Sequence, residues 1–277
     1  MGTVRPRRFP VVASQRSAKD YIFRPAIQLN QLRGTTSNVG FENTAAGTTL
    51  PNQIDLRPNF AFYPPQDQGD LNSCTSFAIA GAIAYLANKK NKMVVSPSEL
   101  FIYYNERVLQ GVIDENSPVE IKNGLIATSK SGSCHTDFWP YDQGKYKVKP
   151  PEPAYENAKK ILTATYEFVE QDEAHIKESI ANDIPVLFGM SVYPYFISKK
   201  MADSGVLTMP IPNDFRMGGH APLLVGYNDG TRQFIARNSF GTDWGMDGYF
   251  TLPYDYVLNP NYGTDFWRIS ELKTDIS

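Results

Sequence analysis

Cysteine and histidine are scarce: two of the first, Cys74 and Cys134, and three of the second, in 277 residues. Two thiols cannot make the disulfide framework that staples small secreted domains. The adjacent pair Cys134–His135 cannot become a zinc site, because no second pair completes four ligands. Neither a metal nor a cofactor is expected. No run of ~18 apolar residues exists, so no membrane-spanning helix is expected. Residues 1–17, MGTVRPRRFPVVASQRS, carry positive charge with no apolar run of ~7–15 residues behind it, so no secretory leader is expected. These scarcities favour a reducing, intracellular setting, the cytoplasm. Surplus charge is missing too. The net is −2 with 20 % of residues charged, which gives no reason to expect a nucleic-acid partner. What is present, 42 % hydrophobic residues over this length, suits one large domain or two modest ones.

Charge is unevenly placed. Residues 1–50 hold seven Lys and Arg against two acids, a net of +5, and the remainder nets −7. A basic arm on an acidic body can dock on it electrostatically. Residues 34–50, rich in Gly, Thr, Ser and Asn, lack any periodicity and read as a linker. From Asn72 the pattern turns helical: NSCTSFAIAGAIAYLANKKN is Ala-rich and apolar on most faces, with Asn72 or Ser73 as caps and Lys89, Lys90 and Lys92 at the negative end. SPSELFIYYNERVLQ (96–110), AYENAKKILTATYEF (154–168) and EAHIKESIAN (173–182) read as further helices. After about 184 come short segments rich in β-branched and aromatic residues, IPVLFGMSVY, HAPLLVGYN, RQFIARN and GYFTLP, which read as strands. Helices first and strands later predict an α+β protein with segregated halves, and a cleft between such halves is a common place for a site.

Cys74 falls at the first turn of the long helix, where the positive end of the helix dipole favours a thiolate. A lone cysteine in an apolar helix is more often a small buried hydrophobe. Its company changes that reading. His220 stands at the mouth of an apolar strand after two glycines, 146 residues beyond Cys74, and Asn238 follows 18 residues later at the end of the next strand. Two neighbouring strands would set them side by side. An Asn oxygen can accept from one imidazole N–H and leave the other nitrogen for the sulfur. His175, among charges in a helical stretch, reads as a solvated surface residue.

DQGDLNSCTSFA (67–78) resembles the start of the active-site helix of the papain family of cysteine peptidases, with Gln68 six residues before the nucleophile. GGHAPLLVGYN resembles its histidine strand and RNSFGTDWGMDGYF its Asn-Ser-Trp-Gly stretch. IDLRP (54–58), FWPYD (138–142) and DFW (265–267) add to the likeness, and the Cys-to-His separation suits the family. The absence of the usual disulfides is similar to the bacterial, archaeal and large-virus branch, and a viral chain could be packaged in a virion.

The resemblance implies a two-lobed fold: a helical lobe at roughly 65–165, a β-barrel-like lobe at roughly 166–265, and a catalytic domain over 51–277. It implies a thiol endopeptidase acting on proteins or peptides. Cys74 is then the nucleophile, His220 its base and acid, Asn238 the residue orienting the imidazole, and Gln68 the oxyanion donor. Ser117, Gly219, Phe240 and Trp244 would border the substrate. Departures stand at Thr75 and Phe240, where relatives carry Trp, at Leu71 in place of a disulfide cysteine, and in ENSPVE (115–120), where relatives carry a glycine pair. Residues 1–50 would form a short prosegment that crosses or borders the groove and restrains the enzyme as a zymogen. Two other readings stay open: an inactive papain-fold binding or structural module, and another Cys-His enzyme such as an acyltransferase or amidase.

Overall fold

A helix that is apolar on every side is stable only when surrounded, and helix α1 (Cys74–Asn91) is buried from Cys74 through Ala87. Ile79, Ile83 and Tyr85 are fully buried and each contributes about 1.5–3 kcal/mol by leaving water. The computed structural model describes residue 20, residues 22–23 and residues 50–274; the rest of the basic extension and its linker lie outside the described residues. α1 ends where Lys92 takes the left-handed conformation, with φ of 57°. Helices α2 (Glu99–Gln110) and α3 (Ile121–Ser131) pack on it. Ser98 caps α2 by accepting from the Phe101 N–H at 3.1 Å, and Gly111 closes it at φ of 76°. α1 has no side-chain cap. Asn72 and Ser73, the expected caps, are committed elsewhere, Asn72 to the Asn116 carbonyl and Ser73 to the Tyr141 hydroxyl.

Beyond the short helix α4 (Glu152–Ala158) the chain builds one antiparallel sheet, to which the early strand at 53–55 is added. Its strands are β1 (Gln53–Asp55), β2 (Ile161–Phe168), β3 (Val186–Val192), β4 (Gly218–His220), β5 (Leu223–Asn228), β6 (Gln233–Arg237), β7 (Tyr249–Pro253) and β8 (Gly263–Thr274). The order is β2-β8-β3-β5-β6-β7, with β1 added on β5 and β4 on β3. α1 also touches β3, β5 and β8, so it is shared by the helical layer and the sheet. The fold is therefore α+β as expected, but the sheet is not closed into a barrel. Its end strands find different partners: Phe168 of β2 is bridged by Ile22, and Thr251 of β7 by Val206.

Two local readings are overturned. ILTATYEF (161–168) is strand β2 and not a continuation of the preceding helix, because it pairs with β8 from Ile161 opposite Thr274 to Phe168 opposite Trp267. Partners about a hundred positions away outweigh local helix propensity. His175 is only 4 % exposed. It lies in α5 (Glu173–Ala181), with Nδ1 3.0 Å from Asp172 Oδ1 and its ring edge-on to the buried Phe23. Among the described residues no helix is long and apolar enough to cross a membrane.

Candidate active site

The loop Gln68–Ser73 is pinned from several directions before it delivers Cys74 to the start of α1. Gln68 donates its N–H to the Ser239 carbonyl at 2.9 Å, and the Tyr141 hydroxyl donates to the Gln68 carbonyl at 2.8 Å. Asn116 accepts from the Asn72 N–H at 2.8 Å and donates its side chain to the Asp70 carbonyl at 3.0 Å. The nucleophile's backbone is thereby tied to the Asn238 segment on one side and to the Glu115–Pro118 loop on the other. That loop is itself held by buried Arg107, which donates to the carbonyls of Ile113, Glu115 and Tyr146.

His220 ends β4 opposite Met190 of β3, and Asn238 directly follows β6. His220 Nε2 and Asn238 Oδ1 are 2.7 Å apart, both groups buried. Asn238 Oδ1 also accepts from the Ser239 N–H at 2.9 Å, which fixes the amide with its oxygen toward the ring. Its Nδ2 is buried without a hydrogen-bond partner among the described residues. Aromatic rings cover this bond. Phe240 lies 5.1 Å from the imidazole centroid at 33°, Phe196 lies 5.6 Å away, and Trp244 meets Phe240 edge-on. Excluding water raises the strength of the hydrogen bond beneath them.

With Nε2 taken by Asn238, the second ring nitrogen is Nδ1. The Cys74 sulfur accepts from the backbone N–H of Ala221, the residue next to His220. Burial pushes the Cys74 thiol up to about 12, while that N–H and those of Thr75 and Cys74 itself pull it down; the charge of Glu106 pushes it up. The Gln68 amide is buried with Nε2 on the Leu71 carbonyl at 2.7 Å and Oε1 accepting from the Ser239 hydroxyl at 2.5 Å.

The structure thus brings Cys74, His220, Asn238 and Gln68 into one cluster. Phe240 is buried against the imidazole, and Trp244 is half-buried between Phe240 and Phe250. Gly219 lies in β4 opposite Ser191. Ser117 stands apart on the opposite loop, donating to Glu115 Oε2 at 3.0 Å. Sequence reasoning missed Ser239, which links the Asn238 and Gln68 segments, and Asn116, which links the nucleophile loop to the 115–120 loop. Ser239 sits beside a motif residue and could have been found; Asn116 carried no signal. Cys134 is fully buried, its thiol also pushed up to about 12 by burial, while the adjacent His135 faces outward to Asp137 at 3.2 Å. Among the described residues no three His, Cys, Asp or Glu gather as a metal ion would need.

Comparison with known proteins agrees on one family. The family described as papain family cysteine protease matches residues 50–259. An uncharacterized peptidase C1-like protein of Acanthamoeba polyphaga mimivirus is 40 % identical over 219 residues, covering 76 % of this chain and 70 % of that protein. A probable cysteine protease of Arabidopsis thaliana is 29 % identical over 214 residues; the chain spans 44 % of that longer relative. Among solved structures, xylellain, a cysteine protease from Xylella fastidiosa, superposes with a TM-score of 0.81 at 30 % identity, covering 99 % of this chain and all of that one. The Carica candamarcensis cysteine protease in complex with E-64 shares the fold at TM-score 0.56 and 23 % identity, over 73 % of this chain and 88 % of that one.

Proposed function

This chain belongs to the papain family of cysteine proteases, and we propose that it hydrolyses internal peptide bonds of protein or peptide substrates through Cys74. The observation that carries this reading is the His220–Asn238 bond at 2.7 Å beneath Phe240, with Cys74 sulfur on the neighbouring Ala221 N–H. Asn238 accepts from Nε2–H, so Nδ1 faces the sulfur and takes its proton. The thiolate attacks the scissile carbonyl carbon, and the oxygen gains the negative charge. Gln68 Nε2 and the Cys74 backbone N–H donate to that oxyanion. The tetrahedral species collapses as the imidazolium protonates the leaving amine, and an acyl group remains on sulfur. Water then gives its proton to His220, attacks the acyl carbon, and the sulfur departs with the acid released.

Ser239 holds the Gln68 amide by its oxygen and the Leu71 carbonyl takes one N–H of Nε2, which leaves the second N–H to donate. Gln68→Ala should lower kcat by ~10²–10³ with KM changed little, since the donor acts on charge that develops in the transition state. Steady-state kinetics on a fluorogenic peptide check this; a kcat within threefold of wild type would remove Gln68 from the oxyanion site.

The domain reading follows the same line. Residues from about 51 form the catalytic domain, with a helical half at roughly 65–165 and a strand-rich half at roughly 166–265. Residues 1–50 restrain it. What supports restraint is where the described part of that extension lies. Asp20 pairs with Lys122 of α3 at 2.8 Å, just past the loop that carries Ser117. Ile22 bridges Phe168, and Phe23 is buried with the Arg268 guanidinium 3.4 Å over its ring. A chain beginning at Leu50 should cleave peptide and react with an epoxide probe at least tenfold faster than the full chain. Equal rates would reject restraint, and no reaction of either chain at Cys74 would reject the peptidase reading.

A further inference from the structure

A carboxyl group stands directly behind the nucleophile, and the mechanism above makes no use of it. Glu106, on the inner face of α2, is completely buried. Its Oε1 accepts from the hydroxyl of Thr75, the residue after Cys74, at 2.9 Å. Its Oε2 is buried and has no hydrogen-bond partner among the described residues. On the α3 side it faces Gly124, where an added methyl group would lie 2.7 Å from Oε2 and closer still to Ile79 Cδ1. No donor side chain therefore reaches it from there. A buried carboxylate oxygen without a donor is rare and costly, and calls for a reason.

The surroundings decide its charge. Among the described residues three titratable or charged groups act on it: Cys74 on α1, and Tyr103 and Arg107 on α2. Arg107 is nearest in sequence, but its guanidinium is spent on the carbonyls of Tyr103, Ile113, Glu115 and Tyr146. Tyr103 likewise donates away, to Asn116 and Ser117. Burial, offset only by Thr75 and Arg107, lifts the Glu106 carboxyl from its ordinary range to about 8. Burial thus favours its protonated form at neutral pH. The coupling runs both ways, because an ionised Glu106 opposes a thiolate at Cys74 and a thiolate keeps the proton on Glu106.

We propose that Glu106 is a positioning residue for peptide hydrolysis which, on losing its proton, withdraws Cys74 from the thiolate state and so closes the enzyme from the alkaline side. The inference rests on Cys74 being the nucleophile. It goes beyond that reading by assigning the alkaline limit to a residue outside the Cys-His-Asn set and reached through Thr75.

The test is the pH profile of kcat/KM, together with that of Cys74 inactivation by an epoxide, in full-length wild type, Glu106→Gln and Thr75→Val. Glu106→Gln keeps an acceptor for Thr75 and cannot ionise. Its alkaline limb should move up by about one pH unit, while rates below neutrality stay within about twofold. Thr75→Val removes the one donor that favours the carboxylate and should move the limb the same way, which keeps the idea testable if the glutamine variant folds poorly. Infrared difference spectra of wild type against Glu106→Gln should show a protonated carboxyl band that fades as pH passes about 8. Superimposable limbs in an active enzyme, or a Glu106 already ionised at neutral pH, would overturn the proposal and leave the peptidase reading standing. A wild-type Cys74 inert at every pH would overturn both.

Discussion

Cys74→Ala should abolish peptide hydrolysis, lowering kcat/KM by on the order of 10⁵ or more, to the level of an uncatalysed or contaminating reaction. The acyl intermediate needs a sulfur at this one place. The second thiol cannot substitute, since Cys134 is fully buried and its neighbour His135 points to Asp137. The change removes one atom from a helix start held by Gln68, Asn72 and Ser73 through other partners, so the fold should persist. A thermal midpoint close to wild type with activity lost assigns the chemistry to the sulfur. A variant retaining more than a hundredth of wild-type activity would move the nucleophile elsewhere.

His220→Ala should be nearly as damaging, and in a way that pH exposes. Burial, with the charge of Glu106 and against three backbone N–H groups, holds the Cys74 thiol up to about 12. At pH ~6 such a thiol is almost wholly protonated, because the thiolate fraction falls tenfold for each unit below the pKa. Transfer of the proton to His220 replaces a buried lone anion with a buried ion pair, which is what allows a thiolate at low pH. Removing the imidazole should therefore slow alkylation of Cys74 at pH ~6 by on the order of 10³ or more. The sign is definite: the thiol's pKa is raised, so reactivity lost at low pH should return only as pH climbs toward that value. Alkylation of Cys74 by iodoacetamide across pH, with the site located by mass spectrometry, checks this. An unchanged rate at pH ~6 would mean that something other than His220 supplies the counter-charge. The double variant should be no worse than Cys74→Ala alone, because residues that act as one unit do not add.

Much of the site was legible because its members carry local signatures. Cys74 heads a helix whose alanines and isoleucines announce burial. Asn238 follows β6, which appears where its β-branched run predicted it, whereas His220 ends the short separate strand β4, just ahead of the predicted run that forms β5. The caps failed as a reading because Asn72 and Ser73 had better partners, Asn116 and Tyr141, which no local rule can see. ILTATYEF failed because β8, its partner, carried no strand signal strong enough to be read on its own. His175 failed because charged neighbours at helical spacing do not reveal that Phe23, far back in the chain, will cover the ring.

The sequence by itself determined the order and kind of the reacting groups, a thiol at a helix start, then an imidazole and an amide at strand ends, since each depends on short-range pattern. The tertiary structure alone decided what surrounds them. Ser239 on the Gln68 amide, the Phe240 ring over the imidazole, an open sheet in place of a barrel, and a bare carboxyl oxygen behind Cys74 all depend on which distant segments meet. Hydrogen bonding and desolvation act over a few ångströms of space, and separation along the chain carries no record of that distance.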